Sequence, residues 1–229
     1  MPRATALTIT VDESCTVSGI LQAPAEARAC YVMAHGAGAG MTHSFMAAVA
    51  DGLAERNIAT LRYQFPYMER GSRRPDSPAL ARRTVRAAVM EAAGQLPTLP
   101  LIAGGKSFGG RMTSQAQAEA PLPKVEGLVF FGFPLHPANK PSVTRAQHLT
   151  QVQIPMLFLQ GTRDALADMT LLAQTINTLG AKATLAEVSG ADHSFHVPAR
   201  SGRTDTEVLT DMLDTLFVWI TTSTRREGN

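Results

Sequence analysis

The stretch from Leu101 to Gly110 constrains this chain more than any other. A short apolar run, Leu101-Ile102-Ala103, leads into Gly104-Gly105-Lys106-Ser107-Phe108-Gly109-Gly110, and a polar, helix-competent segment follows at once. A strand that turns sharply into a helix, with a serine at the bend and glycines two places to either side, is predicted to be a nucleophile elbow. The glycines have a mechanical reason. Such a bend strains the serine backbone and brings strand and helix close together, so side chains at positions 105 and 109 would collide with neighbouring backbone.

Two other readings of these glycines fail on spacing. Gly105-Lys106-Ser107 resembles the end of a phosphate-binding P-loop, but the residue five places before Gly105 is Pro100 rather than glycine. Gly36, Gly38 and Gly40 suggest a dinucleotide fingerprint. Its third glycine would fall on Met41, and no acidic residue closes the next strand where a ribose would bind.

The chain has 229 residues, 45% apolar and 17% charged, which fits one domain over residues 1–229 with a sizeable core. A net charge of +2 gives no basis for a nucleic-acid partner. Cys15 and Cys30 have neither metal-binding nor redox spacing, and Cys30 lies in an apolar strand. No signal-peptide core opens the chain and no apolar run reaches membrane-spanning length. The expectation is a soluble, cytoplasmic protein without a disulfide framework.

Periodicity predicts a hairpin from residues 7–11 and 17–21. Strands are predicted at 29–34, 58–63, 125–133, 156–160 and 183–188, besides the short apolar elbow strand that opens at Leu101. Between them lie a helix capped by Ser44 and ending near Asn57, a loop over 64–78, and a long amphipathic helix over 77–96. That helix is expected to bury Leu80, Val85, Val89 and Leu96. Further helices follow the elbow, run over 168–179 up to Gly180, and close the chain over 207–221. Alternating strands and helices with near-continuous apolar strands predict a mostly parallel sheet covered on both faces.

In such sheets functional groups gather at the carboxyl ends of strands. Four ends here carry them: His35-Gly36-Ala37-Gly38, Ser107, Asp164 and His193. A serine alcohol needs a base to become a nucleophile, and His193 is the candidate. Asp164 would hold the imidazole tautomer and stabilise the imidazolium. The oxyanion would be met by the N–H of Phe108 and the N–H of Ala37, with Gly38 as the alternative. His196 is the competing base, Asp168 competes with Asp164 but reads as a helix cap, and Asp192 reads as a loop residue. His35 is expected to shape the glycine loop.

These residues resemble the α/β-hydrolase superfamily along nearly the whole chain, and within it the small, cap-less members related to dienelactone hydrolase. The combination of His-Gly-Ala-Gly-Ala-Gly at 35–40, Arg73-Arg74-Pro75, and Gly-Gly-Lys-Ser-x-Gly-Gly-Arg at 104–111 is similar to a group of predicted hydrolases that includes a subunit of a histone-acetyltransferase complex. The resemblance implies a single-domain α/β-hydrolase fold with about eight strands, and the Ser-Asp-His roles given above. Dienelactone hydrolase proper has a cysteine nucleophile. Ser107 therefore points to ordinary ester or thioester chemistry.

Between Phe133 and Met156, where many relatives insert a lid, the chain is short, with a helical piece expected over 144–150. An open site for small substrates follows, without interfacial activation. Lys106, Arg73 and Arg74, with Arg70 and Arg111, could form a basic rim for an anionic substrate. The plainer expectation is solvated surface, or pairing with Glu69 or Asp76.

The expected activity is hydrolysis of a small-molecule ester or thioester through a covalent acyl-enzyme. It calls for no metal or organic cofactor, and for neither a nucleic-acid nor a membrane partner. The alternative is a silent interaction module that has kept the fold.

Overall fold

The computed structural model describes residues 4–223. Eight strands form one sheet: β1 (Ala4–Asp12), β2 (Cys15–Gln22), β3 (Ala29–Ala34), β4 (Ile58–Tyr63), β5 (Leu101–Lys106), β6 (Val125–Phe131), β7 (Met156–Gly161) and β8 (Ala183–Val188). Their spatial order is β1-β2-β4-β3-β5-β6-β7-β8. The β1–β2 hairpin joins the sheet antiparallel to β4, and every later pairing is parallel. The hairpin reverses at Asp12, whose carboxylate accepts from the Ser14 N–H at 3.0 Å.

The helices are α1 (Ser44–Glu55), α2 (Pro66–Glu69), α3 (Pro78–Gln95), α4 (Phe108–Glu119), α5 (Met169–Leu179) and α6 (Asp205–Ser223). Successive strand residues alternate between two cores, as the pleat requires. Cys30, Val32 and Ala34 pack with Val85 and Val89 of α3, Met112 of α4 and Leu172 of α5. Tyr31 and Met33 pack with Met46, Val49 and Leu53 of α1 and Leu213 and Leu216 of α6. Each large side chain so enclosed contributes roughly 1.5–3 kcal/mol. Both faces of the parallel strands are covered, which is why these strands read as unbroken apolar runs.

Several local details depart from expectation. The cap of α1 is His43, whose Nδ1 accepts from the Phe45 N–H at 3.2 Å, and Ser44 is the first helical residue. The segment after β4 is not all loop: Pro66 begins α2, where a missing N–H costs nothing. Strand β6 stops at Phe131, and Gly132 turns away at φ 67°. In α3 the fully buried stripe is Ala81, Thr84, Val85, Ala88, Val89 and Ala92, while Leu80 and Leu96 are half-buried at its ends. Small residues dominate this stripe because α3 packs against both the sheet and α4.

Residues 132–155 contain only a 3₁₀ helix (Thr144–Gln151) and no inserted lid. Cys15 and Cys30 are free thiols.

Candidate active site

Ser107 sits between β5 and α4 at φ 50° and ψ −115°, a conformation non-glycine residues rarely adopt. The bend is as tight as its glycines imply. A Cβ at position 105 would stand 2.1 Å from the Ala34 carbonyl oxygen. One at position 109 would stand 2.6 Å from the carbonyl oxygens of both Ala34 and His35. The strained turn lifts the hydroxyl of Ser107 clear of both elements at the carboxyl edge of the sheet.

His193 lies on the loop after β8. Its Nε2 is 2.9 Å from Ser107 Oγ, and its Nδ1 is 2.7 Å from Asp164 Oδ2. Asp164 follows β7 and its side chain is fully enclosed. Oδ2 also accepts from Gln160 Nε2 at 2.6 Å, and Oδ1 accepts from the Leu166 N–H at 2.8 Å. With Asp164 as a carboxylate, Nδ1 of the imidazole carries the proton and Nε2 is left to accept from the serine hydroxyl.

The competing residues lie elsewhere. His196 faces outward and pairs with Asp205 at 2.9 Å, which raises its pKa. Asp168 caps α5 by accepting from the Leu171 N–H at 2.9 Å. Asp192 accepts from the N–H groups of Ser194 and His196, at 2.8 and 3.0 Å, and so shapes the loop that carries His193.

His35 is buried beneath the glycine loop. Its Nε2 accepts from the Phe65 N–H at 3.1 Å, so Nδ1 bears the proton and donates to the Gly36 carbonyl at 2.7 Å. Burial pushes its pKa down to about 4, and the ring stays neutral. His35 therefore ties the loop after β3 to the end of β4.

In that loop the Gly38 N–H donates to Tyr67 Oη at 3.1 Å. The Gly38 N–H is thus already engaged within the loop. Ala37 lines the cavity in front of Ser107, and its N–H makes no turn hydrogen bond among the described residues. Phe108 is the first residue of α4, so its N–H has no intrahelical acceptor.

The cavity has a volume of about 360 Å³, with Phe45, Met46 and Leu166 as its apolar wall and Ser107, His193 and Ser194 as its polar one. Among the described residues no group of three or more histidine, cysteine, aspartate or glutamate side chains could hold a metal ion.

Of the basic residues considered for a rim, Lys106 lines the cavity and Arg73 and Arg74 do not. Lys106 turns inward and its ammonium donates to the His193 carbonyl oxygen. Arg73 and Arg74 are exposed and do not line the cavity. Arg73 approaches the glycine loop through its backbone, its carbonyl 3.9 Å from where a Cβ on Gly38 would stand. Arg70 pairs with Asp76, and Glu69 accepts from the Ser18 N–H at 2.6 Å. Arg111 lies half-buried on α4, where burial and the charge of Arg145 lower its pKa.

Gln160, Tyr67 and the pocket wall were not anticipated. Gln160 alone had a signal, being the one polar side chain in the apolar run 156–160.

This fold, with a serine on a strained strand-to-helix turn and a histidine and aspartate from later strand ends, defines an α/β hydrolase. The alpha/beta hydrolase domain family model matches residues 27–221, and the chain belongs to that family. Its structure is similar to that of a dienelactone hydrolase from Anabaena variabilis, with 21% identity, a TM-score of 0.78, and 98% of this chain and 99% of that one covered. A serine hydrolase without lid from Xanthomonas campestris shares 20% identity at a TM-score of 0.74, covering 98% and 97% of the two chains. The esterase domain of a Rhodothermus marinus protein shares 14% identity at a TM-score of 0.73, covering 96% and 98%.

Proposed function

We propose that the protein is a serine hydrolase of small esters or thioesters. Ser107 attacks the carbonyl carbon while His193 takes its proton. Asp164 holds the imidazole and offsets the charge it gains. The oxyanion is met by the N–H groups of Ala37 and Phe108, and each such donor is worth roughly 3–4 kcal/mol at the transition state. His193 then returns the proton to the leaving group, and water, activated by the same imidazole, releases the acyl group.

The observation that carries this reading is the imidazole of His193, hydrogen-bonded at once to Ser107 Oγ at 2.9 Å and to Asp164 Oδ2 at 2.7 Å. The names of the similar structures, a serine hydrolase without lid and an esterase domain, support the same class. The small cavity and the absence of a cover over residues 132–155 support short acyl groups. Esters and thioesters are favoured over amides, whose poorer leaving groups demand closer positioning. The free thiols of Cys15 and Cys30 support a reducing, cytoplasmic setting.

A fluorophosphonate probe with peptide mapping tests the reading. An adduct on Ser107, absent from Ser107→Ala, is expected. No adduct on folded protein would overturn it in favour of an interaction module.

A further inference from the structure

Lys106 is the last residue of β5, directly before the strained serine. Its ammonium does not meet a carboxylate but the backbone carbonyl of His193, a contact that spans 87 positions. The same ammonium lies 5.0 Å from the ring centroid of Phe195 and 6.0 Å from that of Phe45. Those two rings stack with centroids 5.8 Å apart. Gly132 forms the floor: a Cβ there would stand 3.0 Å from Lys106 Nζ and 3.4 Å from two atoms of the His193 ring.

Beyond β8 the loop carrying His193 is held by turn hydrogen bonds, among them the Asp192 N–H to the His196 carbonyl and the Phe195 N–H to the Asp192 carbonyl, both at 3.0 Å, and none of these uses the His193 carbonyl. Asp192 orders the turn that follows His193, and the Arg163 N–H fixes Ala191 two residues before it, at 2.9 Å. The peptide of His193 itself is fixed by Lys106. A displacement of about 1 Å between reacting groups can cost roughly a hundredfold in rate, so an anchor at this point acts on catalysis and not on folding alone.

We propose that Lys106 is a positioning residue whose ammonium, seated on Phe195 and Phe45, fixes the His193 backbone and thereby the spacing between base and nucleophile. The inference rests on the serine-hydrolase reading and gives Lys106, which also lines the cavity, a role toward the base.

The titratable groups around the ammonium are Asp164 after β7, Asp192 and His193 on the loop after β8, and His43 across the cavity at the start of α1. Burial pushes the Lys106 pKa down to about 8, against the opposing pull of Asp164 and Asp192. Below that value the cation holds its carbonyl and both rings. Above it the neutral amine loses the ring attraction and the charge-assisted part of the hydrogen bond. The rate therefore falls as pH rises through that value.

The test is inactivation by a small neutral fluorophosphonate from about pH 6 to about pH 10, with the maximal inactivation rate separated from probe affinity. Wild type, Lys106→Met and Ser107→Ala are compared. In wild type the maximal rate is expected to drop about tenfold on the alkaline side, with affinity unchanged. Lys106→Met is expected to be about tenfold slower at neutral pH and to lack the alkaline drop. A wild-type rate that stays level to the alkaline end, or Lys106→Met reacting as fast as wild type, would overturn the proposal. If Lys106→Met does not fold, the wild-type profile decides alone. Absence of Ser107-dependent labelling removes the hydrolase reading and this inference together. Labelling with a level profile removes only the role of Lys106.

Discussion

The imidazole of His193 reaches Ser107 Oγ at 2.9 Å across 86 positions of sequence, and it does so because β5 and β8 end at the same edge of the parallel part of one sheet. The sheet brings the two strand ends together, and local structure then presents each side chain. Ser107 is raised by a bend that only small neighbours permit, and His193 is carried by a loop whose turn Asp192 sets.

Asp164→Asn leaves this geometry nearly unchanged but lets the imidazole settle in the other tautomer, with its proton aimed at the serine. The maximal turnover rate is expected to fall roughly ten-thousandfold with KM little altered. Steady-state kinetics on a chromogenic ester checks it. A loss confined to KM would contradict the role given to Asp164.

Gln160→Leu removes the amide that donates to Asp164 Oδ2 at 2.6 Å. A hydrogen bond to a charged group contributes about 1.5–3 kcal/mol, so a roughly tenfold or greater drop in kcat is expected. Stability should change less, because Gln160 Oε1 is buried without a partner among the described residues and leucine removes that burden. Chemical denaturation beside kinetics separates the two effects.

His35 makes the fold sensitive to acid. Its pKa is held down at about 4 by burial, against an ordinary imidazole value of 6.5. The unfolded chain therefore binds a proton that the folded chain refuses as pH falls through this window. The associated stability is present above 6.5 and is lost as pH falls towards 4, by about 3 kcal/mol in total. His148 adds to the same slope, since burial and then the charge of Arg111 hold it at about 4. His35→Gln can keep both hydrogen bonds without titrating. Its urea midpoint is expected to vary less between neutral pH and about pH 5 than that of wild type.

Ser107→Gly and Ser107→Ala both remove the hydroxyl, but only glycine accepts φ 50° and ψ −115° without strain. Relief of about 1–3 kcal/mol exceeds the extra chain entropy glycine brings to the unfolded state, so Ser107→Gly is expected to be more stable than Ser107→Ala by about 1 kcal/mol. Both are expected to be inactive. Equal denaturation midpoints would show that the elbow stores no strain.

What was legible in the sequence follows the range of the forces involved. The elbow could be read because its demand is local and steric: Gly105, Ser107 and Gly109 state it within five residues. The strands could be read because burial on both faces writes itself as an apolar run. The caps were harder. His43 and Ser44 can each accept a backbone hydrogen bond, and the structure gives the cap to His43. Long-range directions were not legible. Lys106 reads as a surface cation until the His193 loop and the Phe45–Phe195 stack, both distant in sequence, supply its partners. Gln160 is the one polar residue in the run 156–160, but only the turn after β7 shows that it faces Asp164.

The most direct measurement of the central claim is rapid-mixing hydrolysis of p-nitrophenyl acetate and butyrate by wild type and Ser107→Ala. The account predicts a burst of p-nitrophenol close to one equivalent of protein, then slower turnover, both abolished in Ser107→Ala. Equal, slow, burst-free release by the two folded proteins would contradict an acyl-enzyme on Ser107.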